Sequence, residues 1–292
     1  MITLHELLDY INHIHYSSVK LFPYQGHDNI SYIIDNKFIL KTPSSRKYID
    51  QCIKEKQLLN PISIKNICKP IEIFNINGIN CGLYKKIQGS SLDRCKLTNN
   101  KKIVVAKQLA ITINKIHCLT LNLWDNNLIN QYKPHQHNFF RGGELNHYAQ
   151  DFHNYLHYVK EKSILSNKKV KKIHYLWKRA LKSHQNGPVF IHGDISMGNI
   201  IYNHRKSTLN LIDFGCCGFS DKSCDLTMAF NYFSHYNREI FMKMINVNKN
   251  IWISCMGWCL WKILFLIYTN KNSSKIKHIK IINIILKEFS FF

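Results

Sequence analysis

The sequence predicts an α+β protein of two lobes, a small β-rich lobe followed by a large, mainly helical one. Three observations carry this. At 292 residues the chain is about where a single hydrophobic core gives way to two. Short β-rich runs separated by turn pairs crowd into residues 1–84, whereas beyond residue 90 the apolar spacing is helical almost throughout. One short β-rich insert, around residues 189–213, interrupts the helical part. With 45% hydrophobic residues the chain can bury a substantial core, which excludes disorder.

In chain order, Ile30 to Ile34 and Lys37 to Lys41 flank Asp35-Asn36, turn chemistry that predicts a hairpin ending at Lys41. After Ser44 and Ser45, either able to cap, Tyr48, Ile49, Cys52, Ile53 and Leu59 follow helical spacing. Glu55 falls on the same face as Cys52 and Leu59, and a carboxylate on an inward stripe needs a cation. Ile71 to Phe74, a turn at Asn77-Gly78, and Cys81 to Tyr84 predict two more strands, and Lys85 to Gly89 a connection. Helix follows through Val104, Val105, Leu109, Ile113 and Ile116 to His117. This divides the chain into a lobe at 1–84, a hinge at 85–89 and a lobe at 90–292.

The chemistry concentrates in His192-Gly193-Asp194-Ile195-Ser196-Met197-Gly198-Asn199 and, after an apolar strand, Asp213-Phe214-Gly215. An isolated His-Gly-Asp is more often a loop with a capping Asp. The full spacing H-x-D-x-x-x-x-N with a following D-F-G is far more specific. Phosphoryl transfer asks for an acceptor oxygen held in line and metal ions spanning the phosphates, and little else from the protein. Asp194 is placed to orient an acceptor hydroxyl and take its proton. Asn199 and Asp213 supply a neutral and a charged oxygen for Mg2+. The runs Ile200 to Tyr202 and Leu209 to Ile212 form the hairpin expected to bring those two together.

With these motifs the chain resembles, over nearly its whole length, the aminoglycoside phosphotransferase and choline kinase superfamily. The resemblance implies a protein-kinase-like fold, ATP or GTP as phosphate donor, and a small-molecule hydroxyl as acceptor. Gly26-His27-Asp28-Asn29 resembles the superfamily's nucleotide loop, which departs from the G-x-G-x-x-G of protein kinases. By the same resemblance Lys41 contacts the α- and β-phosphates and Glu55 is its helical ion-pair partner. Asn29, Tyr84 and Lys86 complete the implied nucleotide-binding set; Tyr84 precedes, and Lys86 lies in, the Lys85 to Gly89 hinge whose backbone reads the purine edge. His192 is implied to bond backbone and hold the loop. Asp221 and Asp225 are similar to a family segment in which Gly and Pro are here replaced by Ser220 and Lys222, and they read as structural. Asn138 to Gly143, Asp225 to Phe230 and Gly257 to Lys262 resemble a bacterial branch of aminoglycoside-phosphotransferase-like proteins, many without an assigned acceptor. In that loop Arg141 reads first as structural and second as a grip on an anion.

Composition limits the alternatives. The formal charge of +22 comes mostly from Lys spread along the sequence, without the localised Arg-rich stripe that nucleic-acid recognition uses, so no nucleic-acid partner is expected. Ten cysteines include no C-x-x-C pair, which fits reduced thiols and a cytoplasmic protein. Met1 to Tyr10 carries Glu6 and Asp9 and no apolar signal region. Ile251 to Tyr268 is long enough to span a bilayer, but Lys262 and three Trp residues read as a buried helix rather than a membrane segment, and no membrane partner is expected. A pseudokinase-like binding protein is the rival to an enzyme. The complete set Lys41, Glu55, Asp194, Asn199 and Asp213 argues against it. With few carboxylates past the catalytic segment, the acceptor is expected to be neutral or anionic rather than a polycationic aminoglycoside, the alternative reading. Oligomeric state is not legible.

Overall fold

The computed structural model describes residues 6, 7, 10, 16–133, 142–183, 187–270 and 275–292. Val19–Leu21 (β1), Asn29–Ile34 (β2), Phe38–Pro43 (β3), Pro70–Ile76 (β4) and Ile79–Lys85 (β5) form an antiparallel sheet in the order β1-β2-β3-β5-β4. Asp35 and Asn36, with φ of 47° and 54°, and Asn77 and Gly78, with 50° and 78°, make both hairpin turns left-handed, as the strand twist requires. Period-two alternation then sorts the side chains. Leu40 pairs with Leu83 on the face that packs with Tyr32, Ile34, Phe74, Ile76 and Cys81 into a small core. Lys41 pairs with Gly82 and Ile39 with Tyr84, so Lys41 and Tyr84 share the opposite face.

The helix after β3 starts later than its apolar spacing implies. Arg46–Tyr48 is a single 3-10 turn, and the α-helix, α1, runs Gln51–Leu59. Neither serine caps it: the Ser44 hydroxyl donates to the His27 carbonyl at 2.8 Å, and Asp50 occupies the N-cap. Glu55 does face inward, at 1% exposure.

Beyond β5 come Ser90–Ser91 (β6), then the helices Asn99–His117 (α2), Asn126–Gln131 (α3), Ala149–Glu161 (α4) and Asn167–Lys182 (α5). Val189–Ile191 (β7), Ile200–Asn203 (β8), Thr208–Leu211 (β9) and Gly218–Ser220 (β10) follow, and β10 pairs with β7 while β8 lies between β6 and β9. Met228–Asn231 (α6), His235–Ile245 (α7), Lys249–Thr269 (α8) and Ile276–Phe289 (α9) close the chain. α8 is long and apolar enough to cross a membrane, yet 78% of its most apolar window is buried inside the protein. Trp252, Trp258 and Trp261 stand at 0–1% exposure, packed with α4, α5 and α9.

The lobes meet through α1. Leu58, Leu59, Ile62 and Ile67 belong to the large core, not the small one. Four bonds fasten this stretch to the helical part: Cys68 N–H to the Leu211 carbonyl (2.8 Å), Leu211 N–H to the Asn66 carbonyl (2.8 Å), the Trp124 indole to the Leu58 carbonyl (3.0 Å) and the Tyr132 hydroxyl to Gln57 (2.6 Å). A helix near the edge of the small lobe is thereby anchored in the other.

Candidate active site

The loop after β7 carries Asp194, and its shape follows from close backbone packing. Gly193 has φ of +83°, and a Cβ there would stand 2.2 Å from the Cys216 carbonyl oxygen, so only glycine fits. Gly142 presses on the same point: its Cβ would lie 2.6 Å from the Gly193 Cα. The Asn138 to Gly143 motif therefore reaches the site at least through its glycines; residues 134–141, Arg141 included, lie outside the described residues.

Hydrogen bonds fix the rest of the loop. Asp225, fully buried, accepts from the His192 amide (2.9 Å), the Gly193 amide (2.8 Å) and the His117 ring (3.0 Å). Burial by itself would push the Asp225 carboxyl up, but the His117 bond and the neighbouring charges and amides outweigh it and hold it below the usual range. The His192 ring is also buried; Nδ1 accepts from the Asp194 amide at 3.2 Å and Nε2 faces the Ile212 carbonyl at 3.1 Å. These partners require a neutral ring with its proton on Nε2, and so a holding role. Asp221 caps the next turn through the Ser223 amide at 2.8 Å, as a structural Asp should.

The expected convergence is present. The β8/β9 hairpin pairs Ile200 with Leu211, and the Ile212 amide donates to the Asn199 carbonyl at 3.0 Å. Asn199 turns its side-chain NH2 onto Asp194, 3.0 Å from Oδ2 and 2.9 Å from the backbone carbonyl. Asp213 takes a left-handed φ of 66° and points its carboxylate back across the cleft to Lys41 Nζ, 2.9 Å away. Asp194 with Asn199 and Asp213 with Lys41 thus form two pairs, joined through the Ile212–Asn199 backbone bond into one group.

Four expected nucleotide contacts are arranged differently. Glu55 does not pair directly with Lys41. Its carboxylate accepts from the Tyr84 hydroxyl at 3.1 Å, and Lys41 lies over the Tyr84 ring, 4.9 Å from its centre. Tyr84 is accordingly a buried spacer between them. Burial raises the Glu55 carboxyl to about 7 against the opposing pull of Lys41. Burial would depress Lys41, but Asp213 and then Glu55 hold it above its ordinary range. At the hinge, the Lys86 amide donates to the Lys37 carbonyl at 2.9 Å and its ammonium bonds Asn36, so both belong to the β2/β3 turn. Asn29 donates to Gln51 at 3.4 Å, and Gln51 in turn packs against Gly215. Asn29 therefore braces the Gly26 to Asn29 loop against the Asp213-Phe214-Gly215 turn.

Sequence reasoning missed two further residues. Tyr24, in the loop between β1 and β2, lies under the Arg94 guanidinium, whose carbon is 3.3 Å from the ring centre, joining that loop to the segment after the hinge. Neither has a motif to mark it. A cavity of about 210 Å³ lined by Glu144, Asn146, Pro188, Ser220, Asp221 and Ser254 opens at the end of β7 opposite Asp194. It lies outside the group just described.

The model of the phosphotransferase enzyme family matches residues 20–246. Among solved structures, the GDP complex of an aminoglycoside 2'-phosphotransferase-IIIa is 19% identical, with a TM-score of 0.70 and 99% of each chain covered. Spectinomycin phosphotransferase with ADP and spectinomycin is 16% identical, with a TM-score of 0.65 over 98% of this chain and 94% of that one. A macrolide 2'-phosphotransferase type I is 11% identical, with a TM-score of 0.63 over 97% and 98%. Among curated proteins none matches the chain by sequence.

Proposed function

We propose that this chain, which belongs to the phosphotransferase enzyme family, moves the γ-phosphate of ATP or GTP, as its Mg2+ complex, to a hydroxyl of a small molecule. The observation that carries the reading is the connected group itself. Asn199 sets the Asp194 carboxylate, and Asp213 and Lys41 face each other across the cleft at 2.9 Å. Asp194 orients the acceptor hydroxyl and receives its proton. Lys41 exchanges Asp213 for the donor's phosphates, and Glu55, held by Tyr84, supplies the countercharge behind it.

Asp213 and Asn199 suit Mg2+. Both offer oxygen, the Asn199 nitrogen is already spent on Asp194, and Mg2+ needs few protein ligands beside phosphates and water. Bound there it would shield the charge of the phosphates. At the hinge, the backbone of Lys85 to Gly89 would meet the purine edge; the Lys85 carbonyl there lies 3.8 Å from the Cys68 thiol.

For the acceptor, a neutral or anionic hydroxyl compound is favoured over a polycationic aminoglycoside. Every carboxylate after Asp213 has a protein partner. Asp225 serves the loop amides, Asp221 caps a turn and accepts from Ser254, Glu288 holds Arg238 and Trp252, and Glu239 lies 3.5 Å from His235. Nucleotide consumption should be screened across aminoglycosides, amino alcohols, sugars and nucleosides with Mg2+ present. Turnover on a sugar or nucleoside supports the reading. Saturable phosphorylation of kanamycin-like compounds would reverse the acceptor class, and absence of Mg2+-dependent nucleotide binding would sink the whole proposal.

A further inference from the structure

Part of the positive charge is concentrated on one helix. α5 carries seven Lys and Arg in 16 residues and no carboxylate, against 40 in 292 for the whole chain. Lys168, Lys171, Lys172, Lys178 and Lys182 are exposed, with Tyr175, 57% exposed, in their midst. Their spacing of three, four and seven residues puts them on one face, a stripe about 21 Å long at 1.5 Å per residue. Ile173, Leu176, Trp177 and Ala180 are buried on the other face.

The placement works against the helix. Four of the lysines crowd its N-terminal half, where the macrodipole favours anions, and the first turn has no acid to offset them. The stripe also has an apolar margin. The Tyr175 ring lies 5.9 Å from Phe289, so the end of α9 borders it, and the chain continues from there to the 77% exposed Phe291.

We propose that this face docks the enzyme on an anionic membrane surface. A linear array of ammonium groups suits a plane of lipid phosphates, and Tyr175 within it and the aromatic end of α9 beside it suit the headgroup layer. Nucleic acid fits less well. The lone Arg of the helix, Arg179, turns toward the Tyr175 hydroxyl at 3.5 Å, and lysine lacks the fork that reads bases and phosphates in pairs. An exposed Phe at the margin would also gain little from a hydrated duplex.

The test is co-sedimentation with vesicles of phosphatidylcholine, with and without about 30% phosphatidylglycerol. Three proteins are compared: the full chain, Lys171→Glu/Lys172→Glu/Lys178→Glu, and a control with the same charge change elsewhere, Lys65→Glu/Lys96→Glu/Lys206→Glu. All six lysines are exposed, so folding should survive, and nucleotide binding checks this on each preparation. Expected is salt-sensitive binding to the anionic vesicles alone, weakened at least about 30-fold in the stripe variant and less than about threefold in the control. Tyr175→Ala should weaken it a further few-fold. Equal losses in both triple variants would show that net charge, not this face, binds the vesicles, and overturn the proposal. So would failure to bind anionic vesicles, or displacement from them by single-stranded RNA held more tightly than lipid.

Discussion

Around Asp194 the polar groups are held by buried neutral donors and one buried carboxylate, while across the cleft Lys41 is held by charges that can exchange partners. In the first region each connection is local and saturated. Asp225 takes two amides and an imidazole, His192 uses both ring nitrogens, and Asn199 clasps Asp194 twice. In the second, Lys41 bonds Asp213 and Glu55 waits behind Tyr84 with a carboxyl raised to about 7. The difference teaches which half is built before substrate arrives. Under the proposed function, the groups that would hold an acceptor in line are fixed in advance, and those that would receive phosphate and metal are paired provisionally.

The largest effect should come from Asp194→Asn. It keeps the bond pattern of the fixed region but removes the proton acceptor, so kcat should fall by about 10²–10⁴ with nucleotide affinity nearly unchanged. Calorimetry and turnover on one preparation check it, and near-normal turnover would remove Asp194 from its role. Next, Asp225→Ala should destabilise the fold by about 3–5 kcal/mol, because two amides and His117 lose a buried partner together. Denaturant unfolding measures this; a loss near that of an exposed Asp would break the claim that this region is saturated.

Glu55→Gln separates the two regions by pH. The carboxyl moves from 4.5 in the free group to about 7 in the fold. Between those values the folded chain keeps a proton that the unfolded chain has released. Stability therefore falls as pH rises through that window, and the cost persists above it. Glutamine removes this cost, so the variant should gain on the order of 1–3 kcal/mol over wild type at pH 8 and almost nothing at pH 4.5, while losing turnover. A pH-independent difference in melting temperature would mean that Glu55 does not titrate there. The smallest effect belongs to Arg94→Ala. An exposed cation–π contact contributes about 0.5–1 kcal/mol, so nucleotide release in stopped flow should quicken by about two- to fivefold. An unchanged rate would leave Tyr24 and Arg94 as surface decoration.

Much of this was legible in residue order because it depends on short-range rules. Turn pairs such as Asp35-Asn36 and Asn77-Gly78 specify hairpins locally, and the spacing from His192 to Asp213 specifies a loop, a hairpin and the groups at its ends. The inward position of Glu55 follows from helical period. What Glu55 would bond did not follow. Tyr84 reaches it only because β5 lies beside β3 with Gly82 facing Lys41, a register set by sheet pairing across more than forty residues. Likewise Asp225 looks in sequence like any helix-capping Asp, and becomes the anchor of the catalytic loop once α2 brings His117 to it. The lysines of α5 were visible one by one, but their alignment required the helix to bury its opposite face. Sequence determines which groups exist and their local geometry; a buried charge takes whichever partner the packing leaves within reach, and only the tertiary fold decides that.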